Sequence, residues 1–112
     1  MSRVFLYQKP RRRISTDQLQ VFGDIVSLFD EGDPRASIFK TEALNRQIVE
    51  RLEEQGYNPQ EDFFCASGSL ISIAICASLL GAVYQRYRVV AFSSSEDRYV
   101  SMWLGQNKET VE

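Results

Sequence analysis

The chain has 112 residues, 13 Lys+Arg against 15 Asp+Glu, 44% hydrophobic residues, two Cys and no His. That length suits one domain able to bury roughly 60–70% of its unfolded surface without disulfides or metal. The missing His removes Ser-His-Asp triads and His-containing zinc sites, and a net charge of −2 with a pI near 5.2 argues against generic nucleic-acid binding, whose footprint is a basic domain or stripe.

Residues 3–8, RVFLYQ, are aromatic and β-branched and stop at Lys9-Pro10, which predicts a first strand. The five apolar residues before Lys9 fall short of the run of about 7–15 that a signal peptide needs, so no leader is expected. Ser15-Thr16-Asp17-Gln18 has capping-box spacing and predicts a short helix over 16–22, ended by Gly23. Residues 24–29, DIVSLF, read as a second strand, and DEGDPRAS after it as a loop. Thr41 caps a helix running to Gln55, with Leu44, Ile48 and Leu52 as its apolar stripe, Val49 alongside, and Gly56 as terminator.

Asn58-Pro59 then turns the chain into a third strand over 62–67, apolar on both faces as a central strand of a parallel sheet should be. From Phe63 to Gln85 there are 23 consecutive uncharged residues, nominally enough to span a bilayer. Gly68, flanked by Ser67 and Ser69, divides that run into a strand and a helix over 69–84, so no membrane span is expected. Small residues Ala74, Ala77, Ser78, Gly81 and Ala82 line one side of this helix, and Ile71, Ile75, Leu79 and Val83 form a second stripe. Residues 88–92 and 99–104 read as two strands of a hairpin turned by SSSEDR. The domain is read as 1–104 and the polar tail as 105–112.

The order β-α-β-α-β-α-β-β implies a single small three-layer α/β sandwich. Its five-stranded sheet is expected to be mostly parallel and flavodoxin- or Rossmann-like, with strand order 2-1-3-4-5 and an antiparallel C-terminal hairpin. In that arrangement the carboxyl ends of the first and third strands flank the topological switch point, where ligands of open α/β sheets sit. Lys9, Arg11, Arg12 and Arg13 on one loop and Ser67, Gly68 and Ser69 at the start of the following helix would meet there as a site for an anionic small ligand. Spaced glycines and a G-K-[ST] run are both lacking, so neither dinucleotide nor P-loop motif is matched.

An apolar helix needs cover on more than one side. Ile71, Ile75, Leu79 and Val83, with Tyr99, Met102 and Trp103 on the terminal hairpin, are therefore the candidate interface of a homodimer, the competing reading being a helix buried by its own domain. Asp30, Glu31 and Asp33 could act on a divalent cation or as acid and base, but fit loop solubilisers or partners of Arg11–Arg13 better, and no metal or cofactor is expected. Cys65 and Cys76 lie in apolar stretches and read as buried free thiols, which suits a reducing interior.

The segments VFLYQKPRRRIS, FGDIVSLF, DFFCASGSLISIAICASLL and YRVVAFSSSEDRYVSM resemble a group of small tailed-bacteriophage proteins over residues 4–102. Those proteins often carry Asp-Pro after the Gly of the turn, where this chain has Ser69-Leu70. The resemblance attaches no activity. It implies an accessory protein in the cytoplasm of an infected bacterium, with a host or viral protein as partner. Two functions follow: a non-enzymatic interaction module, or a ligand sensor or enzyme holding a nucleotide or other anion between the Arg loop and the Ser-Gly-Ser turn.

Overall fold

The computed structural model describes residues 2–8, 16–30, 33, 36, 40–66 and 69–105. Its strands are β1 (Arg3–Gln8), β2 (Asp24–Phe29), β3 (Phe63–Cys65), β4 (Arg86–Ser93) and β5 (Arg98–Gly105), and its helices are α1 (Thr16–Gln20), α2 (Thr41–Glu54) and α3 (Leu70–Tyr84). The sheet order is β2-β1-β3-β4-β5. β1 pairs in parallel with β2 and β3, β3 with β4, and the last pair, β4–β5, is antiparallel. The domain is thus a small α/β unit with a mixed five-stranded sheet, and its strand order is the one expected from the right-handed crossovers.

Side-chain alternation splits the core between two faces. Phe5, Tyr7, Phe64, Tyr87 and Val89 lie on the first face beneath α2 and α3, whose Leu44, Ile48, Leu52, Cys76 and Leu80 close over them. On the second face Val4, Leu6, Phe63, Cys65 and Val90 pack against Leu19 of α1. Helices therefore cover both faces, but the second is covered by a helix of five residues.

The apolar stripe of α2 is buried as its spacing predicts, with Leu44, Ile48 and Leu52 each at most 1% exposed. Each such side chain contributes about 1.5–3 kcal/mol of burial. The cap differs from expectation: Lys40 occupies the N-cap position with no side-chain hydrogen bond, and Thr41 is already helical. At the other end Gly56 takes φ +69°, the left-handed conformation that ends the helix.

The 23-residue uncharged run divides as the Gly/Ser cluster implied, into β3 and α3. β3 is shorter than the 62–67 expected: Asp62 N donates to the Asn58 carbonyl at 2.8 Å in the preceding turn, Ala66 lies just past the strand, and Ser67 lies outside the described residues. Conversely, β4 and β5 are longer than expected, each eight residues, with Asp97 at φ +53° in the turn. On α3 the inward row is Ser72, Cys76 and Leu80, which lies between the two stripes read from sequence. With only Ser72 and Ser78 among apolar residues, α3 carries no continuous polar face to mark its outer side, so its rotation is set by packing. Ser72 tolerates burial because its hydroxyl donates to the Ser69 carbonyl at 2.8 Å.

Candidate functional site

β1 and β3 are parallel neighbours, and the chain moves to β2 on one side of β1 before crossing to β3 on the other. Their carboxyl ends, Gln8 and Cys65, therefore share one edge at the switch point. Gln8 Nε2 donates to the Asp30 carbonyl at 2.9 Å, tying the ends of β1 and β2 together there. Of the seven residues expected to form an anion site, Lys9, Arg11, Arg12, Arg13, Ser67 and Gly68 lie outside the described residues. Ser69 is described, and it is the N-cap of α3: its Oγ accepts from Ser72 N at 3.1 Å and lies 3.0 Å from Ser72 Oγ. Of the acidic loop, Glu31 lies outside the described residues, and Asp33 N donates to the Asp30 carbonyl at 3.2 Å in a turn. Among the described residues no three His, Cys, Asp or Glu side chains come together as a metal site.

Neither cysteine is in a disulfide, and the two are buried on opposite faces of the sheet, Cys65 in the second-face cluster and Cys76 in the first. Burial pushes the Cys76 thiol up to about 12, which leaves it inert as a nucleophile. Burial likewise raises the hydroxyls of Tyr7, to about 12, and of Tyr57. Tyr7 donates to the Ala36 carbonyl at 2.6 Å. Tyr57, between the rings of Phe5 and Tyr84, has a buried hydroxyl with no partner among the described residues.

The apolar candidates divide. Ile75 and Leu79 pack against the first-face core, and Tyr99 packs against the second. Ile71, Val83, Met102 and Trp103 are exposed, and Leu70, Phe92 and Leu104 join them. Nearly all the large exposed apolar side chains thus lie on α3 or the terminal hairpin. On α3 the exposed row between Ile71 and Val83 consists of Ala74, Ser78 and Ala82. α2 and α3 lie over β2 to β4, whereas Met102 and Leu104, opposite Val89 and Tyr87, carry the first face outward onto β5 without a helix above them among the described residues. β5 ends the sheet, so among the described residues one edge of its backbone has no strand beside it.

Sequence reading missed the cationic part of this hairpin. Arg86 and Arg88 fall on the second face of β4, where Arg88 sits over the Phe63 ring at 4.2 Å and Arg86 over the Trp103 ring at 4.5 Å. The signal was available in the R-x-R spacing before an alternating strand, which puts both guanidinia on one side.

The family described as Phage Pam3 gp32-like protein matches residues 2–105, in agreement with the resemblance to small tailed-bacteriophage proteins. No curated protein and no solved structure matches the chain. Among the described residues no helix is long and apolar enough to cross a membrane.

Proposed function

The chain belongs to the Phage Pam3 gp32-like protein family, and from that premise we propose that it is a viral, non-enzymatic interaction module. In this reading it forms a homodimer and binds a host or viral protein in the cytoplasm of the infected cell. The fold is read as flavodoxin-like, with an antiparallel edge in place of a further parallel strand.

The observation that carries the proposal is the outer edge of β5. This eight-residue strand has a single charge, Arg98 at its first position, and exposes Met102, Trp103 and Leu104. Isolated edges are usually protected by Lys, Pro or a bulge, and β5 has none of these. A second copy fits best, because a strand pairs antiparallel with itself about a two-fold axis and an edge uncharged beyond its first residue needs no oppositely charged partner. The uncharged outer row of α3 then supplies a separate surface for the host or viral protein. Static light scattering at micromolar concentration should give twice the 12.9 kDa chain mass. A Met102→Lys/Leu104→Lys variant should halve it, and a monomer of the unmodified chain at every concentration would defeat the reading.

A second reading rests on the shared carboxyl edge of β1 and β3, where a nucleotide or other anion would sit between the Arg loop and the Ser-Gly-Ser turn. A thermal-shift screen against nucleotides and phosphorylated metabolites tests it, since a ligand at 100 times its Kd stabilises by about 2.7 kcal/mol. An equal response from an Arg11→Glu/Arg12→Glu variant counts against that site.

A further inference from the structure

The second face of the hairpin holds a constellation whose cations neither reading uses, although Tyr99 and Trp103 are also candidate interface residues. Alternation along β4 puts Arg86, Arg88, Val90 and Phe92 on it, and the register sets Trp103 opposite Arg88 and Tyr99 opposite Phe92. Val90 is sealed in the cluster of Leu19, which leaves Arg86, Arg88 and Trp103 at one end and Phe92 with Tyr99 at the other. Arg88 also approaches the Trp103 ring at 5.2 Å, and Phe92 and Tyr99 meet edge to face at 5.4 Å.

Among the described residues the charge on this face meets no carboxylate. No carboxylate occupies it on β3, β4 or β5, and among the described residues neither Arg86 nor Arg88 has an ion-pair partner. Arg88 Nη2 donates to the Gln60 carbonyl at 3.0 Å, while its Nε is buried with no acceptor among the described residues. Glu42, Glu50, Glu53 and Glu54 all lie on α2, which packs on the other side of the sheet. The net charge of −2 thus averages an acidic helix with a cationic, aromatic strand face.

We propose that this face binds single-stranded nucleic acid. Stacking against Trp103 and Phe63 holds the guanidinia in place, and a guanidinium so held takes phosphate oxygens bidentately. Trp103 is 39% exposed and Phe92 50%, so ring surface is open beside the cations for bases. From Tyr99 to Trp103 the strand advances about 14 Å, which accommodates more than one base. A duplex keeps its base faces stacked and would leave the rings unused, and an acidic peptide would satisfy only the guanidinia. Every residue of the face belongs to one protomer, so the inference does not require the dimer even though Trp103 lies on both surfaces.

Trp103 is the single Trp of the chain, so its fluorescence reports on this hairpin. Titration of the full chain with a short oligothymidylate should quench it saturably. With two phosphates engaged and a slope of about −0.7 per phosphate, a tenfold rise in salt weakens binding about 25-fold. Arg86→Glu should weaken it at least tenfold. Arg88→Gln is the second variant, each confirmed folded by circular dichroism. Absence of quenching overturns the proposal. So does quenching unchanged in both folded variants, or equal quenching by oligoglutamate or by duplex DNA. Light scattering on the same samples reads the dimer separately, so either idea can fail without the other.

Discussion

Asp62 Oδ2 lies 3.3 Å from Arg3 Nη2, a contact between residues 59 apart in sequence, and Asp62 is 1% exposed. The same carboxylate accepts from Arg3 N at 3.0 Å and from Asn58 N at 2.8 Å. The Arg3 guanidinium also donates to the carbonyls of Gln55 and Gly56, just past the end of α2. One pair thus ties the start of β1 to the end of α2 and the entry to β3. A cation at a helix C-terminus is favoured by the dipole, and the buried carboxylate is tolerated because each of its oxygens has a donor.

Removing that carboxylate leaves two backbone N–H groups without an acceptor. Asp62→Ala should lower unfolding free energy by about 3 kcal/mol, read from urea denaturation. A loss under about 1 kcal/mol would show that the pair contributes little.

Two buried tyrosines should respond with opposite signs. Tyr7→Phe deletes the donor to the Ala36 carbonyl and should cost about 1–2 kcal/mol. Tyr57→Phe removes a hydroxyl with no partner among the described residues, and should be neutral or stabilising by up to about 1 kcal/mol. Thermal melts of the two variants beside the parent test this, and destabilisation by both would contradict it.

Backbone strain is concentrated where α3 passes into β4. Gln85 adopts φ 69° and ψ −48°, a conformation that side chains disfavour, so Gln85→Gly should stabilise by about 1 kcal/mol. Across the ladder Gly105 sits at φ +92°, and an added Cβ would fall 1.9 Å from the Gln85 carbonyl oxygen. Gly105→Ala should therefore destabilise, by about 1–3 kcal/mol. Chemical denaturation of both variants decides whether the signs differ.

Alkaline pH should weaken the fold through Cys76. Its thiol is raised from 9.0 to about 12 by burial, so between those values the unfolded chain has lost a proton that the folded chain keeps. The stability this thiol contributes is full below pH 9 and falls as pH rises toward 12, with about 1 kcal/mol gone at pH 10. Cys76→Ala should flatten that slope between pH 9 and 10. An unchanged slope would assign the alkaline loss to other groups.

Much of the architecture was legible residue by residue. Leu44, Ile48 and Leu52 repeat at helical spacing and are buried together, and the Gly/Ser cluster at 67–69 divides β3 from α3. Order and handedness then left few topologies, and the observed sheet is the simplest of them. The candidate site was less legible. The stripe Ile71, Ile75, Leu79 and Val83 straddles the boundary between core and solvent, and the Arg86–Trp103 contact joins two strands whose register only the folded hairpin defines.

By itself the sequence determined element order, the amphipathic face of α2 and the absence of His chemistry, because local periodicity and composition act within a few residues of one another. Only the tertiary structure decided the rotation of α3, the burial of Asp62 against Arg3 and the placing of two guanidinia over aromatic rings on the face opposite the acidic helix. Each of those depends on contacts between residues distant in the chain. A net charge near zero cannot record them, because it sums over both faces of the sheet while a partner meets one.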